Sequence, residues 1–288
     1  MTERLDVRKT YKLYINGAFP RSESGRSYPV TTSSGAFLAN VAQASRKDAR
    51  DAVVAARGAV SGWSRATAYN RGQIMYRIAE MMEGRRGQFI DEVCAAEGRD
   101  RDDAARLVDA SVDRWVWYAG WADKITSVLG SANPVAGPYF NFSTPEPTGV
   151  VAATAPQDSS LLGLVSVIAP IVVSGNTTVV LASTARPTPA VTLTEVLATS
   201  DLPAGVINLL TGEVGEIFPW LASHADVNAL DLTGVTDPTT ATALAQAAAE
   251  TVKRVYAPVV PSDWLADPGL DRLRAFVETK TVWHPMGV

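Results

Sequence analysis

Apolar residues recur along this chain in two rhythms, and the change from one to the other divides it. The first segment, Tyr11-Lys-Leu-Tyr-Ile-Asn-Gly17, alternates and ends at an Asn-Gly pair, which predicts a hairpin with a return strand through Phe19. Ser45 followed by Asp48 reads as a capping box, after which Ala49, Ala52, Val53, Ala56, Val60 and Trp63 share one helical face. Further helices are predicted over 71–85, 86–97 and 102–125, the last carrying Trp115, Trp117, Tyr118 and Trp121. This half is a helical layer. Gly, Pro and Ser then break the helical period over 129–148, where alternation around 139–142 predicts an exposed hairpin or arm.

From Gly149 short apolar strands alternate with helices. Strands are predicted over 150–155, 177–181, 206–210, 229–232 and 254–257, separated by helices over 160–173, 189–199, 214–223 and 238–252. Asp237 before Pro238 makes a good helix start, an N-cap followed by proline at the first helical position. Such alternation implies right-handed crossovers and a parallel sheet covered on both faces, a doubly wound, Rossmann-like arrangement. After Ala257 the order weakens into a connector, a short helix in Leu-Asp-Arg-Leu-Arg-Ala-Phe-Val-Glu and a last strand at Thr-Lys-Thr-Val-Trp. The segments expected are a hairpin and helical layer (1–128), an arm (129–148), an α/β core (149–257), a connector (258–277) and a closing strand (278–288).

Composition narrows the function. With 288 residues, 47% of them hydrophobic, the chain can bury a large core. Its 26 basic side chains against 30 acidic ones, a net charge of -4, include no like-charged run that would mark a nucleic-acid or polybasic membrane surface. The most apolar stretch, from Leu161, is too short and too broken by Gly and Pro to span a bilayer, and the first residues lack a signal-peptide core, so a cytoplasmic protein is expected. A single cysteine, Cys94, excludes an intrachain disulfide, and with only His224 and His284 no metal centre is expected.

Several stretches, in order, resemble the aldehyde dehydrogenase superfamily: Tyr-Ile-Asn-Gly-Ala-Phe-Pro near the start, Trp-Tyr-Ala-Gly-Trp-Ala-Asp-Lys-Ile around Trp121, Glu-Pro-Thr-Gly-Val-Val from Glu146, Gly-Asn-Thr-Thr-Val-Val from Gly175, Leu-Pro-Ala-Gly-Val-Ile-Asn from Leu202 and Asp-Leu-Thr-Gly from Asp231. The resemblance spans roughly residues 11 to 256. It implies a cofactor-type domain followed by a catalytic domain, yet only the connector stands where that domain would lie, so the catalytic domain is expected to be absent.

The chemistry of that family needs a thiolate, an oxyanion donor, a carboxylate base and a nicotinamide. Cys94 lies in a helical stretch without a basic neighbour and reads as a core thiol. Asp158 stands where the resemblance implies an Asn oxyanion donor, and Pro258 is the nearest counterpart of the base. Ala182, Ser183, Thr184 and Ala185 replace the Lys-Pro-Ser-Glu that would grip the ribose, and Val235 replaces a hydroxyl beside the pyrophosphate. Two charge-assisted hydrogen bonds at about 1.5 to 3 kcal/mol each are worth roughly two to four powers of ten in affinity. Pro156, Gln157, Ala182, Thr184, Ala185, Gly212, Thr233, Gly234 and Val235 therefore line a vestigial crevice in which NAD is expected to bind weakly or not at all. Backbone N–H groups at the 238 helix could still attract an anion. The turn from Thr211 to Gly215 reads as a plain helix start, and His224 as a solvated turn residue.

The resemblance also gives the arm and the closing strand to an oligomerisation sheet, with Phe142, Lys280, Thr281, Val282, Trp283 and His284 as interface residues. The expectation is a non-catalytic subunit paired with a full-length aldehyde dehydrogenase paralogue, or a homodimer. Two alternatives stay open: an NAD(P)-dependent aldehyde oxidoreductase in its own right, and a nucleotide-sensing module.

Overall fold

The structure, a computed structural model, describes residues 8–258 and 263–287. The first seven residues, residues 259–262 of the expected connector and Val288 at the end of the closing strand lie outside the described residues. Near the start, β1 (Thr10–Tyr11), β2 (Ser27–Thr31) and β3 (Phe37–Ala42) form a sheet in the order β1-β3-β2. The Asn-Gly turn is present: Asn16 and Gly17 take φ of 53° and 74°, and Ile15 and Ala18 exchange backbone hydrogen bonds. The return strand through Phe19 does not form. Pairing stops after Leu13 N donates to the Pro20 carbonyl, because proline offers no N–H to continue it, and Tyr14 pairs instead with Leu209.

The helical layer follows as α1 (Arg46–Arg65), α2 (Ala68–Glu83), α3 (Arg86–Glu97), α4 (Arg101–Trp121) and α5 (Ile125–Leu129). The capping box at α1 is closed by Ser45 N on Asp48 Oδ2 at 2.7 Å and Asp48 N on Ser45 Oγ at 3.3 Å. The single helix expected over 102–125 is two. Between them Ala122 N bonds to the Ala119 carbonyl and Lys124 N to that of Trp121, tight three-residue turns that end α4. The arm contributes β4 (Ser131–Asn133) and β5 (Tyr139–Pro147).

The α/β half builds a five-stranded parallel sheet from β6 (Val150–Thr154), β7 (Thr177–Leu181), β8 (Ile207–Leu210), β9 (Ala229–Asp231) and β10 (Arg254–Tyr256), joined through α6 (Leu162–Val173), α7 (Thr188–Leu197), α8 (Val214–Ser223) and α9 (Pro238–Ala249). Alternation within the strands feeds two cores. Val151, Ala153 and Val180 pack with α2, α3, α4, α6 and α7, whereas Val150, Ala152 and Val179 pack with α1, α8 and α9. Both faces of the sheet are covered, so every residue of β6 and β7 is buried. The strand order is β10-β9-β6-β7-β8. The chain therefore winds outward from β6 to β8 and returns to the other side of β6 at β9. That reversal opens a crevice at the C-terminal ends of β6 and β9, where folds of this type hold ligands.

Beyond β10, α10 (Asp271–Ala275) leads into β11 (Val277–Pro285), which pairs antiparallel with β5 from Val277 opposite Pro147 to Pro285 opposite Tyr139. The sheet order is β11-β5-β4. At its root Phe276 is buried, and its carbonyl accepts from Thr148 N at 3.2 Å and Asn176 Nδ2 at 2.8 Å. The outer residues Tyr139, Phe140, Trp283 and Met286 are exposed. Among the described residues no helix is long and apolar enough to cross a membrane.

Candidate functional site

The crevice survives on the α8–α9 side of the strand ends as a cavity of about 310 Å³, lined among others by Gln157, Thr184, Glu213, Gly234, Val235 and Asp237. Its polar groups are turned on one another. Gln157 Oε1 accepts from Ser183 Oγ at 3.2 Å and Thr184 N at 3.1 Å, its Nε2 donates to the Ala155 carbonyl at 3.1 Å, and Thr184 Oγ1 donates to the Gly212 carbonyl at 2.8 Å. The loop after β7 is thus stitched to the loops after β6 and β8. Ala182 is buried and Ala185 is exposed, so neither supplies a polar group where charged contacts to a ribose were expected.

The α9 N-terminus is not free to take an anion, contrary to the expectation from sequence. Asp237 already occupies it, accepting from Thr239 N at 3.3 Å and Thr240 N at 2.9 Å, and hydrogen bonding from the Thr240 side chain and these backbone groups holds its carboxyl below the usual range. Among the described residues the lining includes two carboxylates, Glu213 and Asp237, and no lysine or arginine. A pyrophosphate would meet negative charge there.

The floor of the crevice is crossed by Thr154, Asp231, Thr233 and Gly234. Thr154 Oγ1 donates to the Asp231 carbonyl at 3.1 Å and accepts from Gly234 N at 2.9 Å. A Cβ at Gly234 would overlap the Ala155 carbonyl oxygen, so glycine is required for this close approach. Asp231 Oδ1 accepts from Thr233 N at 2.9 Å, and Oδ2 accepts from Arg272 Nη1, also at 2.9 Å. Arg272 Nη2 donates to Thr233 Oγ1 at 3.0 Å. Burial pushes the Asp231 carboxyl up against the opposing pull of Arg272 and Thr233. The helix α10 is thereby bound onto the strand ends.

The sequence-predicted catalytic positions do not converge. Asp158 is exposed on the loop after β6, with its carbonyl accepting from Arg186 Nη1 at 3.0 Å, while Pro258 follows β10. The two strands stand two sheet spacings apart, roughly 10 Å. Cys94 is half-buried on α3 against the larger core, its Sγ 3.8 Å from the Asp100 carbonyl. His224 is half-buried against Trp220, at 4.5 Å between ring centroids, and its Nδ1 accepts from Asp226 N at 3.1 Å, so it closes the end of α8 and is not a solvated turn residue. Pro156 and Thr233 are buried beneath the crevice.

Phe142 stacks on His284 at 5.8 Å, Trp283 meets Tyr139 at 5.7 Å, and Lys280 pairs with Glu146 at 2.9 Å, all between β11 and β5. Thr281 shares a hydrogen bond with Ser143 at 2.9 Å, and Val282 lies opposite Phe142. The structure thus joins these six residues within one small sheet.

Several residues that matter were missed. Arg114 is buried on the Trp-rich face of α4, and Glu97 reaches Ser160 N and Ser160 Oγ, both at 2.7 Å, to hold the loop before α6. The signal was a charge where the pattern demands an apolar residue: Arg114 beside Trp115, Asp231 inside a buried strand and Arg272 beside Leu273.

A parallel sheet that reverses its order at a crevice, with helices on both faces, defines a doubly wound, Rossmann-like fold. The chain belongs to the aldehyde dehydrogenase family, whose model matches residues 20–259. It is 32% identical over 241 residues to human retinal dehydrogenase 2, covering 82% of this chain and 46% of that protein. It is 31% identical over 252 residues to 2-hydroxymuconic semialdehyde dehydrogenase of Pseudomonas sp. strain CF600, covering 86% and 51%. Among solved structures, HpcC of Thermus thermophilus superposes with a TM-score of 0.80 at 27% identity, covering 86% of this chain and 47% of that one. The NAD+ complex of an aldehyde dehydrogenase from Bacillus cereus gives 0.78 at 25% identity, covering 86% and 50%. The chain spans about half the length of the relatives it matches.

Proposed function

We propose that this chain is a non-catalytic member of its family that acts as a subunit, pairing through its arm sheet with a full-length aldehyde dehydrogenase. The observation that carries the reading is the outer edge of β11. Among the described residues this nine-residue strand is paired on one side only, and its last residues, Trp283, His284 and Pro285, are exposed. An edge of that length offers a row of backbone donors and acceptors to a matching strand. The self-satisfied, carboxylate-lined crevice supports the non-catalytic half of the reading, since a dinucleotide would have to break the Gln157 bridges and face Glu213 and Asp237.

The test is to purify the tagged chain from its native host beside a version ending at Glu278, and to measure native mass and composition. Stoichiometric recovery of a full-length aldehyde dehydrogenase, released by the truncation, is the expected result. Recovery of the chain alone, or of a partner the truncation does not release, would overturn the reading.

A further inference from the structure

On the opposite face of the sheet from the crevice, the connector closes a second cavity of about 80 Å³ against α4 and α6. Arg114 and Arg272 both line it, and both are buried. Their surroundings differ. Arg272 has the Asp231 carboxylate at 2.9 Å. Arg114 has only neutral acceptors: Ser166 Oγ at 3.0 Å and the carbonyl oxygens of Trp264 at 2.8 Å and Ala266 at 3.1 Å. Three of the five N–H donors of a guanidinium are used in this way, which leaves two. Among the described residues, Arg114 has no carboxylate within ion-pair distance.

The buried charges are therefore two guanidiniums against one carboxylate, an excess of one positive charge. The guanidiniums act on each other: burial pushes Arg114 below its ordinary range, and Arg272 pushes it further, against the opposing effect of Tyr118 and of Asp267 at the exposed rim. Asp263, also exposed, completes the acidic rim.

Two further donors lack acceptors. Trp264 lines the cavity, and its indole Nε1 is buried without a partner. Tyr118 Oη is likewise buried and unpartnered, with Arg272 and Arg114 the cations acting on it. Orphaned donors at buried sites are rare in folded proteins and call for an acceptor. The exposed Asp263 and Asp267 balance the two arginines over the whole lining, but at the buried end Arg114 lacks a carboxylate and the unused N–H and O–H groups call for an oxygen acceptor.

We infer that this cavity binds a small monoanionic carboxylate of roughly two or three carbons, held by the spare N–H groups of Arg114 and by the Trp264 indole N–H. The rim selects the valence: Asp263 and Asp267 repel a phosphate dianion about twice as strongly as a carboxylate monoanion at the same place. The Trp264 ring and Pro268 supply apolar wall for a short alkyl group. This site is independent of the subunit reading, because all of its groups come from one chain.

The test uses the full chain, with acetate and propionate titrated against its thermal unfolding midpoint at constant ionic strength, and chloride and phosphate titrated alongside. A ligand that binds only the folded state raises the midpoint in a saturable way. The expected result is such a rise with the carboxylates alone, abolished by Arg114→Met and shifted to about tenfold weaker affinity by Trp264→Phe, which keeps an aromatic ring and removes the donor. The Trp264→Phe arm keeps the test decisive if Arg114→Met does not fold. The inference is overturned if the carboxylates give no saturable rise, if chloride or phosphate gives the same rise, or if Trp264→Phe binds as well as the parent chain.

Discussion

Arg272 Nη1 lies 2.9 Å from Asp231 Oδ2, an ion pair whose two side chains retain 8% and 0% of their exposure. Asp231 ends the strand at the crevice, and Arg272 lies in the first turn of the short helix that covers it. Removing one member of such a pair strands the other charge out of water, at a cost of about 3 to 5 kcal/mol, whereas replacing both with apolar groups is often close to neutral. Arg272→Met and Asp231→Leu should each lower the urea midpoint sharply, and the double variant should regain most of the loss. Additive single losses would show that the two residues act separately.

Gln157 ties the loops after β6 and β7 through its side-chain oxygen. Gln157→Ala leaves Thr184 N and Ser183 Oγ without that acceptor, so a loss of about 1 to 3 kcal/mol is expected in chemical denaturation. Faster amide exchange at Thr184 should accompany it; unchanged exchange there would mean that the bridge does not hold the loop.

Asp237 gives opposite signs in two measurements. Asp237→Ala uncovers the N–H groups of Thr239 and Thr240 and removes a negative charge from the crevice, so the melting midpoint should fall while the apparent affinity for NAD rises. Asp237→Ser keeps a cap and should separate the two effects, raising affinity with little loss of stability. If neither variant binds NAD more tightly than the parent, charge at this helix end does not limit binding.

His224 sets a pH dependence. Burial beside Trp220 pushes its imidazole below the ordinary value, so the folded chain holds this proton less tightly than the unfolded chain. Its contribution is complete above the unfolded value of about 6.5 and is lost as the pH falls from there through the folded value. Denaturation midpoints between pH 7.5 and 5 should decline in the parent and decline less in His224→Asn; parallel curves would remove His224 as the cause.

Much of the fold was legible because the α/β half obeys simple periodicity. The strand Thr177–Leu181 and the helices Arg86–Glu97 and Val214–Ser223 stand where the apolar pattern puts them. The strands Ser27–Thr31 and Phe37–Ala42 went unread, since Pro29 interrupts one and the other, Phe-Leu-Ala-Asn-Val-Ala, has no clear alternation. The stripped crevice could be read from Ala182 and Ala185. Its closure could not, because Gln157, Thr184 and Gly212 lie on three separate loops. The same holds for Arg114, Asp231 and Arg272, whose pairing needs α4, β9 and α10 to be placed in space. Each charge interrupts an apolar pattern, and only tertiary structure shows what it answers.

The small sheet has a mechanical reading as well. Phe276 clamps β11 where it leaves the core, through its buried ring and the two donors on its carbonyl, while Pro285 sits at the far tip opposite Tyr139. A strand held this way is a cantilever. Tension applied at the tip along β5 toward the root loads the pairs in sequence, so the strand peels open one contact at a time. The force reaches Phe276 last, and the parallel sheet behind it is spared until then.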